Sequence, residues 1–285
     1  MPDQGGKRMN TANARVRQEE RLREVFENLL ATVKDFVQHH EVTHDEYRRA
    51  VEFLCETARQ GELTLLCDVF LEATVDAVES SGRMGTASSV EGPYYVPEAP
   101  VLRSPCVLPH RANEPGEPML FHGTVRATDG TPLDGVMLDV WQADANGAYS
   151  HFDVAKEAAP YNLRARVFCD ERGRFEIRTW VSAPYHIPKD GPTGGLLTAL
   201  GRHPYRPAHI HVKLSHPQCL PLTTQLFYEG DPYLDSDVVG AVKAPLIVRL
   251  VKQEDPAEIR RQGLGSPFYA LKYDFVLPHR TAKAA

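Results

Sequence analysis

Glycine and proline are unevenly distributed along this chain, and that constrains its fold more than any other feature. The sequence holds 22 prolines and 20 glycines, and most of them follow residue 91. Proline removes a backbone donor and glycine admits positive φ, so both interrupt helices and mark turns. The first third can therefore sustain long helices, whereas the remainder must fold as short segments joined by tight turns.

The early part carries the helical period. From Glu19 onward, Leu22, Val25, Phe26, Leu29, Leu30, Val33, Phe36 and Val37 recur at i, i+3, i+4 and i+7. Thr43 followed by Glu46 forms a capping box for a second helix, with Tyr47, Val51, Leu54 and Cys55 on one face and a stop near Gly61. A third helix is predicted from Leu63 to Val78, carrying Leu65, Leu66, Val69, Phe70 and Val75. This is more apolar surface than an appendage needs, so part of it should cover another element or another subunit; a self-contained bundle is the alternative. Residues 1–17 are polar and expected as a flexible tail, with the helical region spanning 18–90.

After Gly82 the period changes. Residues 90–97, Val-Glu-Gly-Pro-Tyr-Tyr-Val-Pro, read as an extended aromatic segment. Alternating runs follow at Phe121–Ala127, Val136–Gln142, Arg164–Cys169, Phe175–Val181, His209–Ser215 and Thr223–Glu229, separated by turns such as Asp129-Gly130 and Asn146-Gly147. Strands at this spacing with few intervening helices predict an antiparallel β-sandwich over residues 91–285, preceded by the helices.

Composition excludes several classes of partner. The net charge of -6 gives no basic surface for nucleic acid or an anionic membrane, and no apolar run approaches a membrane span. No secretory signal is visible at the N-terminus. The five cysteines are scattered and odd in number, which fits reduced, mostly buried thiols in a cytoplasmic protein.

One strand carries candidate chemistry. In Arg206-Pro207-Ala208-His209-Ile210-His211, the two histidines lie one pleat apart and share a face, as a metal pair would. Two histidines on a half-exposed strand are the plain alternative. No thiolate is spaced to complete a zinc site, and the carboxylate of a two-histidine ferrous triad is missing from the motif. Phenols remain. Tyr149 follows the Asn146-Gly147 turn, and Tyr185 sits between Pro184 and Pro188. A phenolate is a hard anionic donor suited to ferric iron, and only a highly charged cation keeps it ionised near neutral pH. The residues alone do not single out these two from eleven tyrosines.

The segments 138–142 with 146–150, 183–185 with 191–194, 201–203 with 206–211, and 222–225 together resemble the intradiol ring-cleavage dioxygenases. The resemblance runs from about Leu22 to the end and is nearest to the catechol and chlorocatechol 1,2-dioxygenase branch. It implies a ferric ion, Fe(3+), held by Tyr149, Tyr185, His209 and His211. It also implies a catechol substrate opened with O2 to a cis,cis-muconate, and a homodimer formed through the N-terminal helices with a lipid at its interface. By the same resemblance, Tyr185 doubles as the base for the catechol's second proton, and Arg206 stabilises carbanion-like charge on the ring. Gln225 reaches the same pocket. Its walls are Leu65, Asp68, Val69, Val90, Gly92, Pro93 and Tyr94. Asp68, three residues after Leu65, and the runs 187–192 and 229–237 are similar to chlorocatechol and hydroxyquinol enzymes, so a hydroxyquinol 1,2-dioxygenase yielding maleylacetate is the alternative within the class. A non-enzymatic metal- or carbohydrate-binding β-sandwich is the alternative outside it. His186 and Trp141 are read as structural.

Overall fold

The structure, a computed structural model, describes residues 4–152 and 160–280, with side chains from residue 15 onward. The chain divides into two compact units, Met1–Glu56 and Thr57–Ala285.

The first unit holds α1 (Gln4–His39) and most of α2 (His44–Arg59). α1 begins well before the periodic stretch from Glu19, so residues 4–17, expected as a flexible tail, are helical. The capping box forms: the Thr43 amide donates to Glu46 Oε2 at 2.8 Å, and the Glu46 amide donates to Thr43 Oγ1 at 3.3 Å. Along α1, the apolar row from Leu22 to Val37 is solvent-exposed on this chain, Leu22 by 69% and Phe26 by 60%.

In the second unit the predicted third helix forms with an insertion. It runs as α3 (Leu63–Cys67), a π-helical turn (Asp68–Glu72) and α4 (Ala73–Glu79). A π turn widens the helix by one residue, and such turns gather at functional positions. Here Leu65, Asp68, Val69 and Glu72 all lie on one cavity wall.

Two six-stranded sheets follow. The first has the order β1 (Val101–Arg103), β5 (Arg164–Phe168), β4 (Met137–Gln142), β9 (His209–Ser215), β10 (Leu222–Tyr228), β11 (Ile247–Val248). The second has the order β12 (Val251–Gln253), β13 (Phe268–Lys272), β3 (Pro118–Ala127), β6 (Arg174–Trp180), β2 (Cys106–Val107), and β14 (Phe275–Leu277) pairs with β3. The central pairs are antiparallel as predicted, but β1–β5, β10–β11, β13–β3, β14–β3 and β2–β6 are parallel, so the sheets are mixed. A short hairpin pairs β7 (Tyr185–His186) with β8 (Tyr205–Arg206). Two short helices, α5 (Pro192–Ala199) and α6 (Pro256–Arg261), complete the unit.

Leu138, Val140, Ile210, Val212, Leu214 and Leu226 of the first sheet pack with Phe121, Phe175, Ile177 and Phe275 of the second in one buried cluster. Strand alternation then decides where chemistry can sit. With Ile210 and Val212 facing that core, His209 and His211 must face the other way, onto the outer side of the first sheet. A second buried cluster forms there from Val69, Trp141, Tyr149, Tyr185, Ile187 and Val238. Of the cysteines, only Cys169 and Cys219 are buried; Cys55 and Cys67 are exposed, contrary to the expectation of mostly buried thiols.

Candidate active site

The four residues singled out as ligands meet on that outer face. His209 and His211 are each 1% exposed, and their Nε2 atoms stand 2.9 Å apart. Tyr149 Oη lies 3.4 Å from His209 Nε2. The Tyr149 and Tyr185 rings meet edge-on with centroids 5.1 Å apart, and Tyr185 and His209 are 5.7 Å apart.

Local backbone explains how the tyrosines arrive. At the end of β4, Asp144 Oδ1 accepts the amides of Asn146 and Ala148, closing a tight turn. Gly147 in that turn has φ +78°, and a Cβ there would lie 2.8 Å from Tyr185 Cβ. Only glycine lets the Tyr149 loop close onto the Tyr185 hairpin.

The His209 tautomer can be read from its partner. His209 Nδ1 lies 2.7 Å from the Pro207 carbonyl, which can only accept, so Nδ1 donates and Nε2 presents a lone pair. His211 stacks on Trp141 with ring centroids 4.5 Å apart and planes 11° apart, and Trp141 pairs opposite it in the β4–β9 register. Burial and the neighbouring Arg206 charge lower the His209 pKa to about 3, and burial together with His209 and Arg206 holds His211 well below its usual value. Burial lifts Tyr149 well above the usual phenol value and raises Tyr185, the latter opposed by Arg206. Two neutral imidazoles and two phenols, all buried and converging, are the donor set that a small, hard, highly charged cation would complete. Among the described residues no group of three or more His, Cys, Asp or Glu gathers to hold a metal, so the site exists only when phenols count as donors.

Beside this group lies a narrow cavity of about 20 Å³. Every predicted wall residue lines it: Leu65, Asp68, Val69, Val90, Gly92, Pro93 and Tyr94. Tyr185 and Arg206 line it too, so the cavity opens onto the ligand cluster. Two larger surface grooves, about 610 and 550 Å³, contain none of the four clustered residues. The chemistry, not the volume, makes the small cavity the candidate site.

The family description "Dioxygenase" matches residues 90–279, and "Catechol dioxygenase N terminus" matches residues 19–86. The chlorocatechol 1,2-dioxygenase of Rhodococcus opacus is 40% identical over 261 residues, covering 91% of this chain and 98% of that protein. The 6-chlorohydroxyquinol 1,2-dioxygenase of Cupriavidus pinatubonensis is 36% identical over 277 residues, covering 94% and 92%. Among solved structures, the 3-chlorocatechol 1,2-dioxygenase of Rhodococcus opacus 1CP superposes with a TM-score of 0.84 at 36% identity, covering 92% of this chain and 100% of that one. This chain is an intradiol ring-cleavage dioxygenase.

In this dioxygenase Arg206 is 3% exposed. Its Nε and one terminal nitrogen meet the two Asp237 carboxylate oxygens at 3.1 and 3.2 Å. Burial alone would lower the Arg206 pKa, but Asp237 and the two phenols more than offset it, so it stays charged. Asp237, also buried, accepts the Ala241 amide at 3.0 Å; burial would raise its pKa, and Arg206 with these hydrogen bonds brings it below the usual value. The sequence reading missed Asp237 as a partner because nothing in its spacing from Arg206 marks it.

Gln225 sits beside Arg206. It is fully buried, its Oε1 accepts from Arg206 at 2.8 Å, its Nε2 donates to the Val90 carbonyl at 2.7 Å, and it does not line the cavity. Both ends of the amide are engaged within the protein, so Gln225 links Arg206 to Val90 at the start of the 90–92 segment. Also missed were Glu72, Ile187 and Val239, which complete the cavity wall, and Arg164. The Arg164 guanidinium is buried 5.6 Å from the Tyr149 ring centroid, and it donates to the carbonyls of Tyr94 and Ser150 and to Ser150 Oγ. Of the two residues read as structural, Trp141 backs His211, and His186 stays at the surface with Nδ1 3.0 Å from the Ile187 carbonyl.

Proposed function

We propose that this dioxygenase holds ferric iron through Tyr149, Tyr185, His209 and His211 and cleaves catechol and chlorinated catechols between the two hydroxylated carbons, giving cis,cis-muconates. The observation that carries the reading is the convergence of two buried neutral imidazoles and two buried phenols beside a cavity. Bound there, iron(III) would supply Lewis acidity toward the phenols and toward the catechol oxygens.

The chain's own residues supply the rest. Tyr185 alone of the four lines the cavity, which supports a role for its phenolate in taking the catechol's second proton. Arg206 enters the cavity already ion-paired and fixed by Gln225, so its positive charge needs no rearrangement when negative charge develops on the ring. Leu65, Val69, Val90, Ile187 and Val239 offer an apolar surface to a ring and to chlorine. Two carboxylates on the same wall, Asp68 and Glu72, favour hydroxyquinol as a second substrate, with maleylacetate as product. The exposed apolar row of α1 supports a homodimer formed through the helical region.

Iron content, colour and oxygen uptake test the reading together. The purified protein should contain iron and be red to brown from phenolate-to-iron charge transfer, and anaerobic catechol should shift that band. A colourless, iron-free protein that stays inactive after iron is supplied would overturn it.

A further inference from the structure

We infer that Glu72 is a substrate-recognising residue whose free carboxylate oxygen accepts a hydrogen bond from a donating substituent on the ring, such as a third phenolic hydroxyl. The inference deepens the proposed function and rests on it. Glu72 ends the π-helical turn and lines the cavity one turn beyond Asp68. Its two oxygens have separate fates. Oε1 accepts the amides of Glu91 and Gly92 at 3.1 and 3.4 Å. Oε2 is buried and has no hydrogen-bond partner among the described residues.

A buried acceptor left without a donor is costly unless something fills the need. The cation on the same cavity wall does not fill it. Arg206 lines the same cavity, but its hydrogen bonds run to Asp237 and Gln225. Asp68, when ionised, can only accept, and Val69, Val90 and Val239 have no polar side-chain group. A ligand in the cavity can bring that donor. Chlorine cannot donate, whereas a ring hydroxyl can, so Glu72 ranks ring substituents by chemistry, not by size. Sites built to hydrogen-bond a substrate hydroxyl discriminate against the analogue lacking it far more strongly than apolar walls discriminate by volume.

The amide clamp makes the test well defined. In Glu72→Gln, the amide oxygen must face the Glu91 and Gly92 N–H groups, so the amino group takes the place of Oε2 and opposes a donating substituent. The probes are 1,2,4-trihydroxybenzene and 4-methoxycatechol, which carry the same ring with the third hydroxyl free or capped. Both are titrated anaerobically into the iron-loaded enzyme by its visible band, and both are followed by oxygen uptake. The ratio of their Kd values and of their kcat/KM values should favour the free hydroxyl in the wild type and fall about tenfold in Glu72→Gln. An unchanged ratio, or a ratio moved by Asp68→Asn and not by Glu72→Gln, would overturn the assignment. So would a wild type that does not distinguish the two probes, a result that stands even where the variant fails to fold. Oxygen uptake on catechol with an unchanged ratio defeats this inference alone; no uptake on any catechol defeats the proposed function as well.

Discussion

Replacing Asp237 with Asn removes the counter-charge from a guanidinium that cannot reach water. Arg206 and Asp237 have side chains 3% and 1% exposed, with Nε to Oδ1 at 3.1 Å. At that separation and an effective dielectric near 20, the attraction is about 5 kcal/mol. Part of it is offset by the cost of burying both charges, which the variant still bears for Arg206. Breaking one side of such a pair typically costs about 3–5 kcal/mol, and we expect a loss in that range from urea denaturation of the iron-loaded protein. Glu19→Gln, which breaks the exposed Arg15–Glu19 pair at 3.1 Å, should produce no measurable change. The pH dependence gives a second reading. The folded-state pKa of Asp237 lies below its ordinary 3.8, so its contribution is fully present above that value and is lost as pH falls through the folded pKa. The stability gap between wild type and variant should therefore be constant near neutral pH and shrink below about pH 4. A gap under about 1 kcal/mol at pH 7, or one that widens in acid, would refute the claim that this pair is desolvated and coupled.

Two further substitutions probe the cluster. Tyr185→Phe should leave the denaturation midpoint of the iron-free protein near wild type and lower catechol turnover by at least about 100-fold; unchanged oxygen uptake would remove Tyr185 from the base role. Gly147→Ala places a Cβ 2.8 Å from Tyr185 Cβ at φ +78°, so it should cost about 1–3 kcal/mol and lower iron occupancy, read by melting temperature and elemental analysis. A variant with wild-type stability and iron content would show that the Tyr149 loop has room to move.

What the sequence could disclose was set by distance along the chain. The helical periods, the capping box at Thr43 and the strand alternation around Ile210 are local patterns, and the structure repeats them. His209 and His211 belong to the same class, because two residues apart on a strand fixes a shared face whatever surrounds it. Tyr149 and Tyr185 lie far from them in sequence, and only the resemblance of several segments joined the four. The π turn at Asp68–Glu72 left no trace because the apolar spacing of Leu65, Val69 and Phe70 suits an ordinary helix equally well. The parallel pairings were likewise hidden, since β1, β2, β11, β13 and β14 are short and their partners distant.

The residues that escaped sequence reading share a physical character. Asp237, Arg164 and Glu72 are charged groups that a pattern search assigns to solvent, and each is drawn inward by a group that is already there. Asp237 answers Arg206, Arg164 holds the carbonyls of Tyr94 and Ser150, and Glu72 holds the amides of Glu91 and Gly92. The outer face of the first sheet is thus built in two tiers. Neutral donors converge at its centre, and charges stand behind them with their hydrogen bonds directed at backbone or at one another. A site of this design tolerates little change in its outer tier, because each charge there is at least half-buried and loses a specific partner when that partner is removed. The unpartnered Oε2 of Glu72 is the exception in that tier, and its position on the cavity wall is why a ligand, and not the fold, accounts for it.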